Sequence, residues 1–70
     1  MNQPLSLEQF RRLRDFIYQK TGIYFIDSKL YFVERRLMDR MERLGLDEFG
    51  DYYAILRFET DSTELQTFIE

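Results

Sequence analysis

The 70-residue sequence contains neither cysteine nor histidine. Without cysteine the protein can form no disulfide and no thiolate metal site, and without histidine it lacks imidazole catalysis and nearly all structural zinc geometries. Its three glycines are isolated, so the sequence has no glycine-rich phosphate loop. We therefore expect no catalytic, cofactor-binding or metal-binding residue within this chain.

Long apolar runs and a strong net charge are also missing. No stretch of 18 apolar residues occurs, which predicts no membrane insertion, and Met1-Asn2-Gln3-Pro4 lacks the basic and apolar regions of a signal peptide. The absence of cysteine fits a cytoplasmic protein. A net charge of −3 argues against a general affinity for nucleic acid or anionic lipid.

Apolar and aromatic residues, by contrast, are abundant. They make up 44% and 17% of the sequence respectively, which favours one dense core over disorder in so short a chain. The spacing of these residues predicts four helices and no strand. We therefore expect an all-α fold, a small compact bundle of four short helices, in which residues 1–70 form a single domain.

The first helix has clear boundary signals. Ser6 and Gln9 match a capping box, and Gly22 stands where a left-handed residue ends a helix. The apolar segment 23–26 follows. It has no partner strand, so we interpret it as an extended connector inserted into the core.

The later helices are predicted from similar signals. Asp47 begins the third helix, whose buried side is expected to comprise Phe49, Tyr52, Tyr53 and Leu56. Gly50 inside that helix suggests that a neighbour packs closely there. Asp61 and Glu64 predict a second capping box for the last helix, whose apolar face has barely begun when the sequence stops. That favours a cut within a longer polypeptide.

The second helix carries two faces. It is expected to be capped by Asp27 or Ser28 and to end at Gly45. Its apolar stripe comprises Leu30, Val33, Leu37, Met41 and Leu44. Beside the stripe lies a set that we call the basic face: Lys29, Phe32, Arg36, Arg40 and Arg43. At about 100° per residue, each set falls within about 80° of arc.

The basic face allows two interpretations. It can be an ordinary solvated surface, since Glu34, Asp39 and Glu42 on the same helix partly neutralise it. It can also be a docking surface for an acidic partner, because the guanidinium fork of arginine holds carboxylates at two points. Phe32 has two interpretations of its own: it is a core aromatic or, where it is exposed, an anchor in the recognition face.

The order and spacing of several short motifs match those of a known family. The motifs are Phe10-Arg11-Arg12-Leu13, Ile17-Tyr18, Thr21-Gly22-Ile23, Lys29, Val33, Arg36-Leu37, Arg40, Leu44-Gly45-Leu46, Phe49 and Tyr52. With them the sequence resembles the N-terminal helical domain of the CheR family, the chemoreceptor protein-glutamate O-methyltransferases of bacterial chemotaxis. The resemblance covers about Leu7 to Glu70.

This resemblance implies a specific role. In the family a small all-α domain precedes an α/β catalytic domain that uses S-adenosylmethionine, which here would follow residue 70. Its basic second helix is thought to meet the cytoplasmic methylation region of a chemoreceptor. The resemblance assigns that contact to Lys29, Arg36 and Arg40, and more loosely to Arg35 and Arg43. We therefore expect a recognition domain that is not catalytic as this chain alone but belongs to an S-adenosylmethionine-dependent methyltransferase.

Two alternatives stay open. The family often has arginine where Asp39 and Glu42 stand, so this helix is less positive than is usual. One alternative is a stand-alone, non-catalytic adaptor in signalling. The other is a self-associating module that uses Leu65, Phe68 and Ile69. Nucleic-acid binding is disfavoured by the interleaved acidic residues.

Overall fold

The computed structural model describes residues 3–70, and within them it contains four α-helices and no strand. The helices are α1 (Leu7–Thr21), α2 (Leu30–Leu44), α3 (Phe49–Phe58) and α4 (Thr63–Ile69), and a 3-10 turn at Asp27–Lys29 precedes α2. The prediction of an all-α, four-helix fold is confirmed. Met1 and Asn2, part of the segment inspected for a signal peptide, lie outside the described residues.

The boundaries of α1 and the end of α2 agree with the sequence signals. The Ser6 hydroxyl accepts from the Gln9 backbone N–H at 3.0 Å, and the Gln9 side chain accepts from the Ser6 N–H at 3.1 Å. Gly22 and Gly45 end the two helices with φ of +79° and +71°. This left-handed conformation strains residues that carry a Cβ, which explains glycine at both positions.

The starts of α2 and α3 differ from the predictions. Neither Asp27 nor Ser28 caps α2 through its side chain, because the chain first makes the 3-10 turn. The Asp27 carboxylate instead binds two arginines of α1. Helix α3 begins at Phe49 after Glu48, and Asp47 lies outside it.

The predicted capping box of α4 is wrong. The carboxylate that caps this helix belongs to Glu59, which accepts from the backbone N–H groups of Glu64 at 2.9 Å and Leu65 at 3.1 Å. Asp61 accepts only from the Thr63 N–H, at 3.2 Å. The Glu64 side chain turns away from its own helix towards α2, so it cannot complete a box.

One core lies at the centre of the helices. Its buried members are Leu5, Phe10, Leu13, Ile17, Val33, Leu37, Met41, Phe49, Tyr52, Leu56, Leu65 and Phe68. The predicted apolar stripes supply most of this set. Leu44 of the predicted α2 stripe is a wrong prediction, because it lies at the end of the helix and is 41% exposed. Tyr53, predicted on the buried side of α3, is only partly buried.

Three further expectations fail. The segment 23–26 is not inserted into the core, since only Phe25 packs partly against it. A Cβ on Gly50 would meet no heavy atom within 4 Å, so close packing does not explain that glycine. Leu65 and Phe68 are buried in the domain's own core and cannot offer a surface for self-association; Ile69 is half-buried.

The helix contacts fix two opposite sides of the bundle. Helix α2 packs against α1 and α4, and α3 packs against α4. Helices α1 and α3 meet through the rings of Phe16 and Tyr53, whose centroids are 5.9 Å apart. The seam between α2 and α4 therefore lies across the bundle from the seam between α1 and α3.

Candidate docking surface

The basic face of α2 is divided between the interior of the bundle and solvent. Arg40 lies on the interior side. Its Nε is 2.7 Å from Oε2 of Glu64 and its Nη2 is 2.8 Å from Oε1. The Tyr52 hydroxyl donates to the same carboxylate at 2.6 Å. Arg40 and Glu64 keep only 21% and 12% of their side-chain surface, so this group connects α2, α3 and α4 beneath the surface.

The pKa directions follow from this packing. Hydrogen bonds from Arg40 lower the pKa of Glu64, although burial acts in the opposite direction. The same carboxylate raises the pKa of the Arg40 guanidinium. Burial, and then its hydrogen bond to Glu64, raise the pKa of the Tyr52 phenol. The Arg40–Glu64 pair is therefore ionised at neutral pH.

Arg36 occupies an intermediate position. Its Nη1 donates to the backbone carbonyl of Phe68 in α4, so part of its donor capacity is used inside the domain. The guanidinium carbon also lies 5.3 Å from the centre of the Phe32 ring, a cation–π arrangement. Arg36 thus joins the end of α4 to the aromatic residue of the basic face.

Phe32, Lys29 and Arg43 face solvent. The Phe32 side chain is 49% exposed, which excludes the core interpretation of this residue. Lys29 is exposed and takes part in none of the ion pairs found within residues 3–70. Arg43 is 68% exposed and only loosely paired with Asp39, at 3.3 Å on the same helix. These three side chains are available to a partner.

Comparison of the sequence with known proteins bears on the family of the chain. The family model described as CheR methyltransferase, all-alpha domain, matches residues 8–70. The chain belongs to the CheR family. Chemotaxis protein methyltransferase 2 of Vibrio cholerae is 48% identical over 60 residues, which cover 86% of this chain and 21% of that protein.

Further chemotaxis methyltransferases agree with this assignment. The Salmonella typhimurium protein is 44% identical over 71 residues, covering 99% of this chain and 25% of that protein. The Escherichia coli protein is 43% identical over 65 residues, covering 93% and 23%. This CheR domain thus spans a quarter or less of the length of the curated relatives it matches.

Three hollows on the surface of the described part of the CheR domain are open grooves. No buried side-chain polar atom within residues 3–70 lacks a hydrogen-bond partner. No acidic cluster in the same residues could hold a metal ion, and none of their helices is long and apolar enough to cross a membrane.

Sequence reasoning grouped the basic residues on one face of α2 but missed the internal partners of Arg36 and Arg40. Glu64 lies 24 residues beyond Arg40, and its position at the start of a helix suggested a cap. Tyr52 was expected in the core, but nothing in the sequence indicated the carboxylate that its hydroxyl meets. The one available signal was that Arg36 and Arg40 are adjacent on a helix, where two cations need a counter-charge nearby.

Proposed function

We propose that this CheR domain docks onto the cytoplasmic methylation region of a chemoreceptor, an acidic helical bundle, and so presents it to a methyltransferase domain in the same polypeptide. The single observation that carries the proposal is the composition of the exposed part of the basic face. The exposed Phe32 ring shares this face with two exposed cations, Lys29 three residues before it and Arg43 eleven residues after it. The methyl donor, S-adenosylmethionine, would be held by the catalytic domain and not by these residues.

The exposed residues make two kinds of contact with the partner, apolar and electrostatic. Phe32 supplies apolar contact area, which an aromatic ring offers at low entropic cost because only two torsions become fixed. Lys29 and Arg43 attract carboxylates and orient the approach of an acidic partner. Arg36 reaches the same surface from beside the Phe32 ring.

Arg40 contributes indirectly. Because its guanidinium is held at two points by Glu64 and covered by α4, it has little capacity left for an external carboxylate. We assign it to holding α4 in place, which in turn holds the Phe68 carbonyl that accepts from Arg36. A substitution of Arg40 therefore weakens docking by loosening the packing of α4, and not by removing a contact with the partner.

The proposal predicts weak, salt-sensitive binding. Exposed ion pairs contribute about 1 kcal/mol or less each, and charges on a surface are screened within about 8 Å at physiological ionic strength. The test is titration of the domain with a soluble fragment of a receptor methylation region at two salt concentrations. Binding should weaken as salt rises.

Paired variants make the test specific to this surface. The double variant Lys29→Glu and Arg43→Glu should lose binding and keep its helicity by circular dichroism. Its matched control is Lys20→Glu and Arg12→Glu: Lys20 is an exposed lysine elsewhere, and Arg12 forms an exposed i,i+4 pair like that of Arg43. Equal losses in the two double variants, or retained binding in the first, would contradict the proposal.

A change in the partner provides an independent check. The receptor fragment with its target glutamates replaced by glutamines loses charge but keeps its size. It should bind the wild-type domain more weakly, and the difference should shrink in the Lys29→Glu/Arg43→Glu variant. Equal affinity of both fragments for the wild-type domain would mean that carboxylates are not what the basic face recognises.

A further inference from the structure

The connector between α1 and the 3-10 turn exposes apolar side chains that folding does not bury. Ile23, Tyr24 and Ile26 are 41%, 53% and 55% exposed. They lie in sequence on either side of Phe25, the one member of segment 23–26 that is packed against the core. Neighbouring exposed apolar residues of this size are typical of interaction surfaces, whereas single ones are not informative.

The connector is nevertheless fixed in place. Its C-terminal end is tied to α1 because the Asp27 carboxylate accepts from Arg11 at 2.7 Å and from Arg14 at 2.8 Å. At its N-terminal end the Ile23 N–H donates to the Thr21 hydroxyl at 3.0 Å. A surface held in this way loses little conformational entropy when it binds.

Aromatic contacts hold the middle of the connector. The Tyr24 ring meets the Tyr18 ring edge-on with centroids 5.5 Å apart, and the Arg14 guanidinium carbon lies 4.8 Å from the centre of the Tyr24 ring. Arg14 also donates to the Phe25 carbonyl at 3.5 Å. The exposed apolar atoms are thus presented on an ordered backbone.

The connector adjoins the basic face. The Phe25 ring lies 6.2 Å from the Phe32 ring, centre to centre, and the Lys29 N–H donates to the Ile26 carbonyl at 2.9 Å. The connector therefore meets the N-terminal end of the basic face through the Phe25 ring and through the backbone of Ile26. The exposed connector residues are thus close in sequence and in space to Lys29 and Phe32.

We propose that Ile23, Tyr24 and Ile26 form the apolar half of the receptor-docking surface. The occupant is the same acidic helical region, with aliphatic side chains against the connector and carboxylates against Lys29 and Arg43. This inference rests on the proposed function and extends its footprint from α2 to the connector. Its physical basis is that a few exposed ion pairs supply little affinity, whereas desolvated apolar contacts supply more and fix the register.

The test compares two pairs of exposed apolar residues in the same receptor titration. Ile23→Ser/Ile26→Ser alters the connector, and Ile55→Ser/Phe58→Ser alters α3, whose two side chains are 38% and 74% exposed. We expect the connector variant to bind about tenfold more weakly, the loss typical of an anchoring contact, and the α3 variant to bind like wild type. Unchanged affinity in the connector variant would overturn the inference.

The salt dependence separates this inference from the proposed function. The connector variant should keep the wild-type salt dependence, because no charge is removed, whereas Lys29→Glu/Arg43→Glu should reduce it. If the charge variant loses binding and the connector variant does not, the proposed function stands and the apolar half is wrong. If neither variant weakens binding, both fail.

A second measurement needs no substitution. In methyl-labelled wild-type domain, the NMR resonances of Ile23 and Ile26 should shift when the receptor fragment is added, while that of Ile55 stays unchanged. Unshifted Ile23 and Ile26 resonances in a complex that does form would overturn the inference. This readout is free of any effect of serine on folding.

Discussion

Arg40 and Glu64 form a two-point ion pair across the seam between α2 and α4, with N–O distances of 2.7 and 2.8 Å. The pair joins residues 24 positions apart and lies mostly out of solvent. Since the Tyr52 hydroxyl completes the hydrogen bonding of the carboxylate, three helices depend on one acidic side chain. The packing of α4 is therefore partly electrostatic.

Glu64→Gln tests this dependence at nearly constant volume. It removes the charge that Arg40 needs, and we expect a loss of about 2 kcal/mol in the free energy of unfolding, towards the cost of breaking a buried pair. Asp39→Asn, which breaks the exposed pair with Arg43, should cost less than about 1 kcal/mol. Urea denaturation followed by circular dichroism measures both. Equal losses of unfolding free energy in Glu64→Gln and Asp39→Asn would show that burial does not strengthen the Arg40–Glu64 pair.

The same carboxylate makes stability depend on pH. Because the pKa of Glu64 is lowered in the folded state, its contribution is complete above its ordinary value of 4.5 and is lost as pH falls through the folded-state value. Melting temperatures measured between about pH 3 and pH 7 should fall more steeply on the acid side for the wild type than for Glu64→Gln. Asp27 and Asp61, whose pKa values are also lowered, leave a residual acid dependence in the variant. If the melting temperatures of the wild type and of Glu64→Gln fall in parallel as pH is lowered, Glu64 is not a source of the acid dependence.

Two glycines should respond in opposite ways to alanine. Gly45 ends α2 with φ of +71°, so Gly45→Ala should cost about 1 kcal/mol through backbone strain. Gly50 lies inside α3 with no heavy atom within 4 Å of an added Cβ, so Gly50→Ala should stabilise by about 0.5–1 kcal/mol. Thermal melts show directly whether each variant is more or less stable than the wild type. A loss of stability in Gly50→Ala would mean that the low helix propensity of glycine does not destabilise α3 at this position.

The cap of α4 is open to a similar comparison. Glu59→Ala removes the carboxylate that accepts from two N–H groups at the start of the helix and should cost about 1 kcal/mol. Glu48 precedes α3 but makes no side-chain cap, so Glu48→Ala is the control and should have less effect. Amide hydrogen exchange in residues 63–69 should accelerate in the first variant alone.

Local signals were sufficient for much of the fold. The Ser6 capping box and the left-handed glycines at 22 and 45 depend on residues at most three positions apart, and the structure confirms all three. The buried faces of the helices likewise follow from helical period and polarity. Such features require no knowledge of how the helices pack.

Several of the failures involve contacts between elements. Glu59 caps α4 by reaching forward across a turn in which Ser62 adopts a φ of +58°, and no spacing rule distinguishes it from Asp61. The connector looked like core because it is apolar, yet of its four residues only Phe25 packs against the core. Arg40 resembled a docking residue because its partner Glu64 comes from a distant part of the sequence.

The position of Arg36 limits how this surface can change over evolution. Its guanidinium group contacts both the Phe68 carbonyl, inside the domain, and the Phe32 ring, on the outside. A substitution there cannot alter one contact and spare the other. Lys29 is free of that constraint, because none of the ion pairs within residues 3–70 involves it. Divergence in partner preference among related domains should therefore accumulate at position 29 sooner than at position 36.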